Sequence, residues 1–369
     1  MKLSRPRWRG AFRSLTRLLS PANPSRRGHP PPDALAGWDW PAILRVASDL
    51  RLASTLHWRL ADHGWLPLMP DAVRDWTEGA AELGRMRAEA QREEALVLTR
   101  LMAAAGIKTV LLKGTAALFD GLYPDPGARY SGDIDVLVPA DRLDAAQALL
   151  RAQGFAPIQA PYAMTARAKH LPRLAHPDRR FGIELHQNVV EPAFQLALPP
   201  TAMLERAIPA QDSAAVWLPS PEDRLAHCLA HLMDDRRQSP VPLLRQMLEL
   251  RLLAERTPPD WATITARFAA AGVRGELMDT LATAEALVGL AWPPALRRPR
   301  YGLAWRWRLW QQLHVPGLAR ATRLATLAAP LLRPRRLGGL LRRAATSGDI
   351  RAFIGPRLRD LRDRTDPRA

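Results

Sequence analysis

Asp133 and Asp135 flank Ile134, and the run continues as Val136-Leu137-Val138. On a strand, alternate side chains share a face, so the two carboxylates point one way and Ile134 and Val136 the other. Neighbouring carboxylates repel unless a proton or a cation lies between them. A hard divalent cation such as Mg²⁺ takes oxygens from one or two carboxylates and from substrate phosphates. Alone, the pattern also describes a strand end with two solvated acids. A later run, Phe181-Gly182-Ile183-Glu184-Leu185-His186, repeats the alternation and puts Glu184 and His186 on one face. An edge strand with a polar outer side would read the same way. Upstream, Lys113-Gly114-Thr115 follows the apolar Val110-Leu111-Leu112 and precedes the helix-like Ala116 to Leu122. Glycine admits close approach of a phosphate, a helix start offers free N–H groups, and Lys113 adds a point charge. An ordinary strand-to-helix turn is the plain alternative.

Together these residues resemble the nucleotidyltransferase superfamily that includes DNA polymerase β. More closely, they are similar to the uncharacterised bacterial nucleotidyltransferase family with a Lys-Gly first motif, an Arg before Asp-Ile-Asp, and an acid-Leu-His third motif. The matching residues are Lys113-Gly114, Arg129, Asp133-Ile134-Asp135 and Glu184-Leu185-His186. The likeness runs from about Ala34 to Leu290. It implies transfer of a nucleoside monophosphate from an NTP to an acceptor hydroxyl, with release of pyrophosphate and two Mg²⁺ ions. Asp133, Asp135 and Glu184 would hold the metal. Lys113, Gly114, Thr115 and Ser131 would cradle phosphate, Arg129 would stabilise the leaving pyrophosphate, and His186 would orient an acid from behind. Three departures stand out. Thr115 replaces Gly or Ser, its hydroxyl being able to do the same work. Gln187 stands where an aromatic residue is frequent. The Thr115–Asp133 stretch is long, which predicts a lid or substrate loop from Asp120 to Gly132.

Elements that could position these groups follow from periodicity. Helices are expected over Pro41–Leu52, Ser54–His63 and Asp71–Ala104, with Gly106 as a C-cap. Strands are expected over Ile107–Lys113, Asp133–Val138 and Phe181–Val190. Between them, Asp141–Gln153 reads as a helix, and Tyr162–Arg180 as a basic segment that either binds triphosphate or is a solvated loop. Ser220 caps a helix that carries His227 and His231 on one face. The pair has no third ligand in view and is read as packing beneath the site or touching substrate. Helices continue over Leu243–Leu253, Trp261–Ala271 and Met278–Leu290. The fold class is α+β: a nucleotidyltransferase core of a small mixed sheet with helices, flanked by N-terminal and C-terminal helical regions. The boundaries are a basic flexible arm (1–33), an N-terminal helical region (34–105), the core (106–192), a helical substrate domain (193–292) and a basic Arg/Trp-rich helical tail (293–369).

The formal charge of +17 is carried by the two ends. Residues 1–29 hold eight Lys/Arg and no acid, and residues 297–369 hold eighteen arginines against four aspartates. The middle is therefore mildly acidic, and arguments about partners apply to the ends. For the first end, contact with an anionic membrane or nucleic acid stands beside a solubilising tail; for the second, an anionic membrane surface, the protein's own core or another subunit, and nucleic acid are open. One cysteine, Cys228, excludes an internal disulfide. No apolar run is long enough to span a bilayer, and no signal-like segment is read at the start. The expected location is the cytoplasm, peripheral to the inner membrane face through the basic ends. Two further functions stay open: a degenerate nucleotide-binding scaffold, and a toxin- or antitoxin-type transferase acting on RNA or protein.

Overall fold

The computed structural model describes residues 3–21, 35, 37–158, 168–211, 213–239, 243–297, 303–315, 317–318 and 321. Two compact units divide the chain: residues 1–233 with 243–306, and residues 234–242 with 307–369. The first holds every strand named below.

A helical layer comes first: α1 (Arg5–Leu19), α2 (Trp40–Asp49), α3 (Ala53–Asp62) and α4 (Asp71–Ala104). α1 lies where a flexible arm was expected. Phe12, Leu15, Leu18 and Leu19 recur at helical spacing and are buried, so this stretch is packed. Its arginines lie between them on the outer side and hide the pattern in a count of charges. Two buried arginines catch its last carbonyls: Arg59 Nη2 donates to Ser20 O at 2.8 Å and Arg251 Nη1 to Leu19 O at 2.7 Å. Cations suit a helix C-terminus, where the carbonyls lack intrahelical partners. α4 has 34 residues and is about 51 Å long at the helical rise. Ala88, Ala95, Leu98 and Met102 form its buried stripe, and Gly106 follows at φ +69°.

The core is a mixed seven-stranded sheet in the order β3-β4-β5-β2-β1-β7-β6. Its strands are β1 (Val110–Leu111), β2 (Asp133–Leu137), β3 (Ala156–Pro157), β4 (Leu174–Ala175), β5 (Gly182–His186), β6 (Ile208–Ala210) and β7 (Ser213–Leu218). β2 runs parallel to β5 with Asp135 opposite Glu184, and antiparallel to β1 with Leu111 opposite Val136. α5 (Lys113–Ala117) follows β1, and α6 (Leu143–Ala152) covers the sheet after β2. Ile134, Val136, Ile183 and Leu185 are buried on one face with Leu98, Met102 and Leu150. β7 pairs parallel to β1, Val110 against Trp217. The sheet therefore extends past residue 192 into a stretch expected to be helical.

After α7 (Pro200–Arg206), helices α8 (Pro221–Gln238), α9 (Leu244–Arg256), α10 (Trp261–Ala270) and α11 (Arg274–Val288) follow. Ser220 Oγ accepts from Asp223 N at 3.3 Å, as a capping serine should. In α12 (Leu303–His314), Trp307 stacks on Trp310 at 5.0 Å. The tail segment Ser347–Arg364, and Ala319–Leu341 apart from Ala321, lie outside the described residues. Among the described residues no helix is long and apolar enough to cross a membrane.

Candidate active site

The β2–β5 pair sets the site by register. Parallel pairing places Asp135 beside Glu184, and alternation turns both away from the apolar face. His186, two residues on, shares that side. Ligand atoms of Asp135, Glu184 and His186 lie within 4.8 Å of one another. His186 Nε2 is 2.9 Å from Asp135 Oδ1 and 3.5 Å from Glu184 Oε2. Its Nδ1 faces Asn188 O at 3.3 Å. His186 thus lies within hydrogen-bonding distance of one of the acids it was expected to orient.

Lys113 completes the cluster. Nζ donates to Asp135 Oδ1 at 2.5 Å and lies 3.8 Å from Glu184 Oε2. Its backbone is left-handed, φ +46°, which costs a side-chain-bearing residue about 1–3 kcal/mol. Burial works against the ammonium, but Asp135 and Glu184 outweigh it and raise the lysine pKa. Burial likewise opposes the charge on Asp135, yet Lys113 and the His186 hydrogen bond hold that carboxyl well below the usual range. Burial also opposes the Glu184 charge, and here His186 and Lys113 tip the balance so that it too is lowered. Asp133 goes the other way: burial, then Asp135 and Glu184, raise its pKa. It lies outside the group of three, one strand repeat back, and feels the cluster as charge. His170 Nε2 reaches to 3.8 Å from Glu184 Oε2, and Arg173 Nη2 donates to Gly132 O at 3.0 Å. Both come from the basic segment before β5; its Arg167 lies outside the described residues.

Other expected groups are arranged differently. The Thr115 hydroxyl is buried and donates to Asp133 O at 3.3 Å, so it is directed into the fold rather than toward a ligand. Ser131 Oγ accepts from Gln91 Nε2 at 3.0 Å and lies 3.4 Å from Asp133 O. Gln91 Nε2 also donates to Asp133 O at 2.6 Å. This buried amide of α4 thus ties the Thr115 turn to the start of β2. Arg129, expected to stabilise pyrophosphate, is instead engaged within the fold. It is buried, and its Nε and Nη2 bond Glu249 Oε2 at 2.9 and 2.8 Å. A guanidinium packed on a buried carboxylate is held there, because either charge alone would be costly. Gly114 is required sterically: a Cβ would overlap the Arg129 guanidinium and fall 2.5 Å from Ser131 Oγ.

Nor is Asp120–Gly132 a lid. Leu122, Tyr123 and Ala128 are buried. Thr55 Oγ1 donates to Ala128 O at 2.5 Å and Arg87 Nε to Ser131 O at 2.7 Å. Gly84 of α4 and Gly127 meet backbone to backbone: a Cβ on Gly127 would lie 2.5 Å from Arg85 N. The loop is fastened to α3 and α4 along its length.

Sequence reasoning missed Gln91, Arg224 and Glu249. Arg224 Nη1 donates to Lys113 O at 2.9 Å, and Glu249 lies between Arg129 and Arg224. Two of them carried a signal. Gln91 sits on the Ala88–Ala95 stripe, and Glu249 between the buried Leu248 and Leu250. A polar residue at core spacing needs a buried partner. His227 is buried in α8, its ring 6.3 Å from His231, and burial drives its pKa well down.

The residues present fit a divalent cation. Asp135 and Glu184 offer hard oxygens, and the Lys113 ammonium stands between them as a cation would. No curated protein and no solved structure matches the chain. A family match, described as an uncharacterised nucleotidyltransferase, covers residues 37–289, from α2 to the end of α11 and across the whole sheet. With strand register, acid pair and Lys-Gly turn inside that span, the chain belongs to this nucleotidyltransferase family.

Proposed function

We propose that the protein transfers a nucleoside monophosphate from an NTP to an acceptor hydroxyl and releases pyrophosphate. The observation that carries this reading is the convergence of Asp135, Glu184 and His186 around the Lys113 ammonium. Asp133, Asp135 and Glu184 would hold two Mg²⁺ ions. Bound there, the ions would neutralise the triphosphate and acidify the attacking hydroxyl. Mg²⁺ prefers oxygen, so His186 serves as the hydrogen-bond partner that aims Asp135. Lys113 exchanges its carboxylate contacts for phosphate oxygens as substrate enters. Gly114, packed against Arg129 and Ser131, keeps the turn that carries Lys113 close to the fold. Arg173 adds positive charge beside Asp133, and His170, its pKa lowered by burial and by His186, faces Glu184 as a neutral imidazole. Arg129 supports the turn from behind through Glu249.

Pyrophosphate release with NTP and Mg²⁺, measured in wild type and Asp135→Ala, tests the reading. Equal turnover in the two proteins rejects it. One observation favours a second reading, a nucleotide-binding scaffold without chemistry: the ammonium already takes the cation's place. That reading expects NTP binding in calorimetry with no pyrophosphate from the wild type.

A further inference from the structure

We propose that Arg224 of α8 is a positioning residue, holding the Lys113 carbonyl so that the lysine side chain is delivered to Asp135 and Glu184. Its catalytic meaning rests on the reading of that cluster as the reaction centre. Lys113 and Arg51 are the two non-glycine residues with positive φ among the described residues. A side-chain-bearing residue stays left-handed when its surroundings hold it on both sides. Before Lys113, Leu112 N donates to Asp135 O at 2.9 Å and ties the turn to β2. After it, Arg224 Nη1 donates to Lys113 O at 2.9 Å. Relaxing φ to negative values would redirect the Cα–Cβ bond and carry Nζ away from the carboxylates.

Arg224 is itself fixed. It is buried, with Nε 2.7 Å from Asp120 Oδ2 and Nη2 3.7 Å from Glu249 Oε1. One arm thus donates to the turn, while Asp120 and Glu249 hold the other two by charge, without an aligned hydrogen bond. Lysine, with a single charged nitrogen, cannot reach all three. The arrangement also explains why two helices distant in sequence reach under the Lys-Gly-Thr turn.

Lysine labelling with acetic anhydride on the full chain, read by mass spectrometry, tests this without substrate. The chain has four lysines, Lys2, Lys108, Lys113 and Lys169, so each is its own probe. Lys113, held between carboxylates, should react slowly in the wild type, and Asp135→Asn provides the released reference. Arg224→Met should raise Lys113 labelling about tenfold, the scale of one lost charge-assisted hydrogen bond, with Lys108 unchanged. Unchanged labelling at both lysines overturns the proposal. Should Arg224→Met expose every lysine, Arg224→Lys, which keeps the buried charge, decides: a selective rise at Lys113 supports positioning, and none overturns it. Turnover is measured separately, with kcat expected to fall more than KM for NTP rises. A wild type that releases no pyrophosphate removes the catalytic reading and leaves the labelling result standing. An active enzyme whose Lys113 ignores Arg224 does the reverse.

Discussion

Two buried charge clusters lie on either side of the Lys113 turn, unbalanced in opposite senses. On the strand side, Asp133, Asp135 and Glu184 face one ammonium. On the helix side, Arg129, Arg224 and Arg245 surround Glu249, with Asp120 at the edge. In the helical cluster Arg129 bonds Glu249 twice, while Arg224 Nε and Nη2 are held by charge without an aligned hydrogen bond. The strand cluster keeps a surplus of negative charge, with Asp133 pushed toward protonation. That surplus suits a site that receives cations. Position in the chain does not separate the two clusters; the sign of their surplus charge does.

Breaking the strand cluster should have the largest effect. Asp135→Ala is expected to lower pyrophosphate release by ~10³-fold or more, the scale of losing a group aimed at transition-state charge. Breaking the helical cluster should cost stability. Glu249→Ala leaves buried guanidinium groups unpaired and should destabilise by about 3–5 kcal/mol, read by urea unfolding. The sign with pH follows from the lowered Glu249 pKa. Its contribution is present above the unfolded carboxylate value, about 4.3, and is lost as pH falls through the lower folded value. In Glu249→Gln that part of the acid sensitivity should disappear.

Finer tests sharpen the contrast. His186→Gln should weaken divalent-ion binding about 10–100-fold, measured with Mn²⁺ by electron paramagnetic resonance, while leaving the arginine cluster intact. Unaltered Mn²⁺ affinity would mean that His186 does not aim Asp135. The smallest effect is expected at Asp133. Its folded pKa is raised, so its contribution falls as pH climbs from the ordinary aspartate value, about 3.9, through the raised one. Asp133→Asn should remove that decline and stabilise the ion-free protein at neutral pH, seen by comparing urea midpoints at two pH values.

The parallel register that sets Asp135 opposite Glu184 was not legible, whereas strand alternation made the common face of Asp133 and Asp135 legible, because a period of two is a local property. The face shared by Glu184 and His186 followed for the same reason. The support of the turn was not legible, since Arg224 and Glu249 lie 111 and 136 residues beyond Lys113. Nothing local marks which of many arginines meets a given carbonyl. The role expected of Arg129 failed on the same ground: its motif position is local, its Glu249 partner is not. α1 was misread because charge was counted before spacing. Phe12, Leu15, Leu18 and Leu19 would have revealed its buried face.

The contact between Gly84 and Gly127 has a mechanical consequence. With no side chain to act as a cushion, a 34-residue rod and the connector between the lysine turn and the aspartate strand share one backbone seam. Hydrogen exchange in that connector should therefore be as slow as in the rod itself. Any opening of the acid cluster must occur along another of its sides.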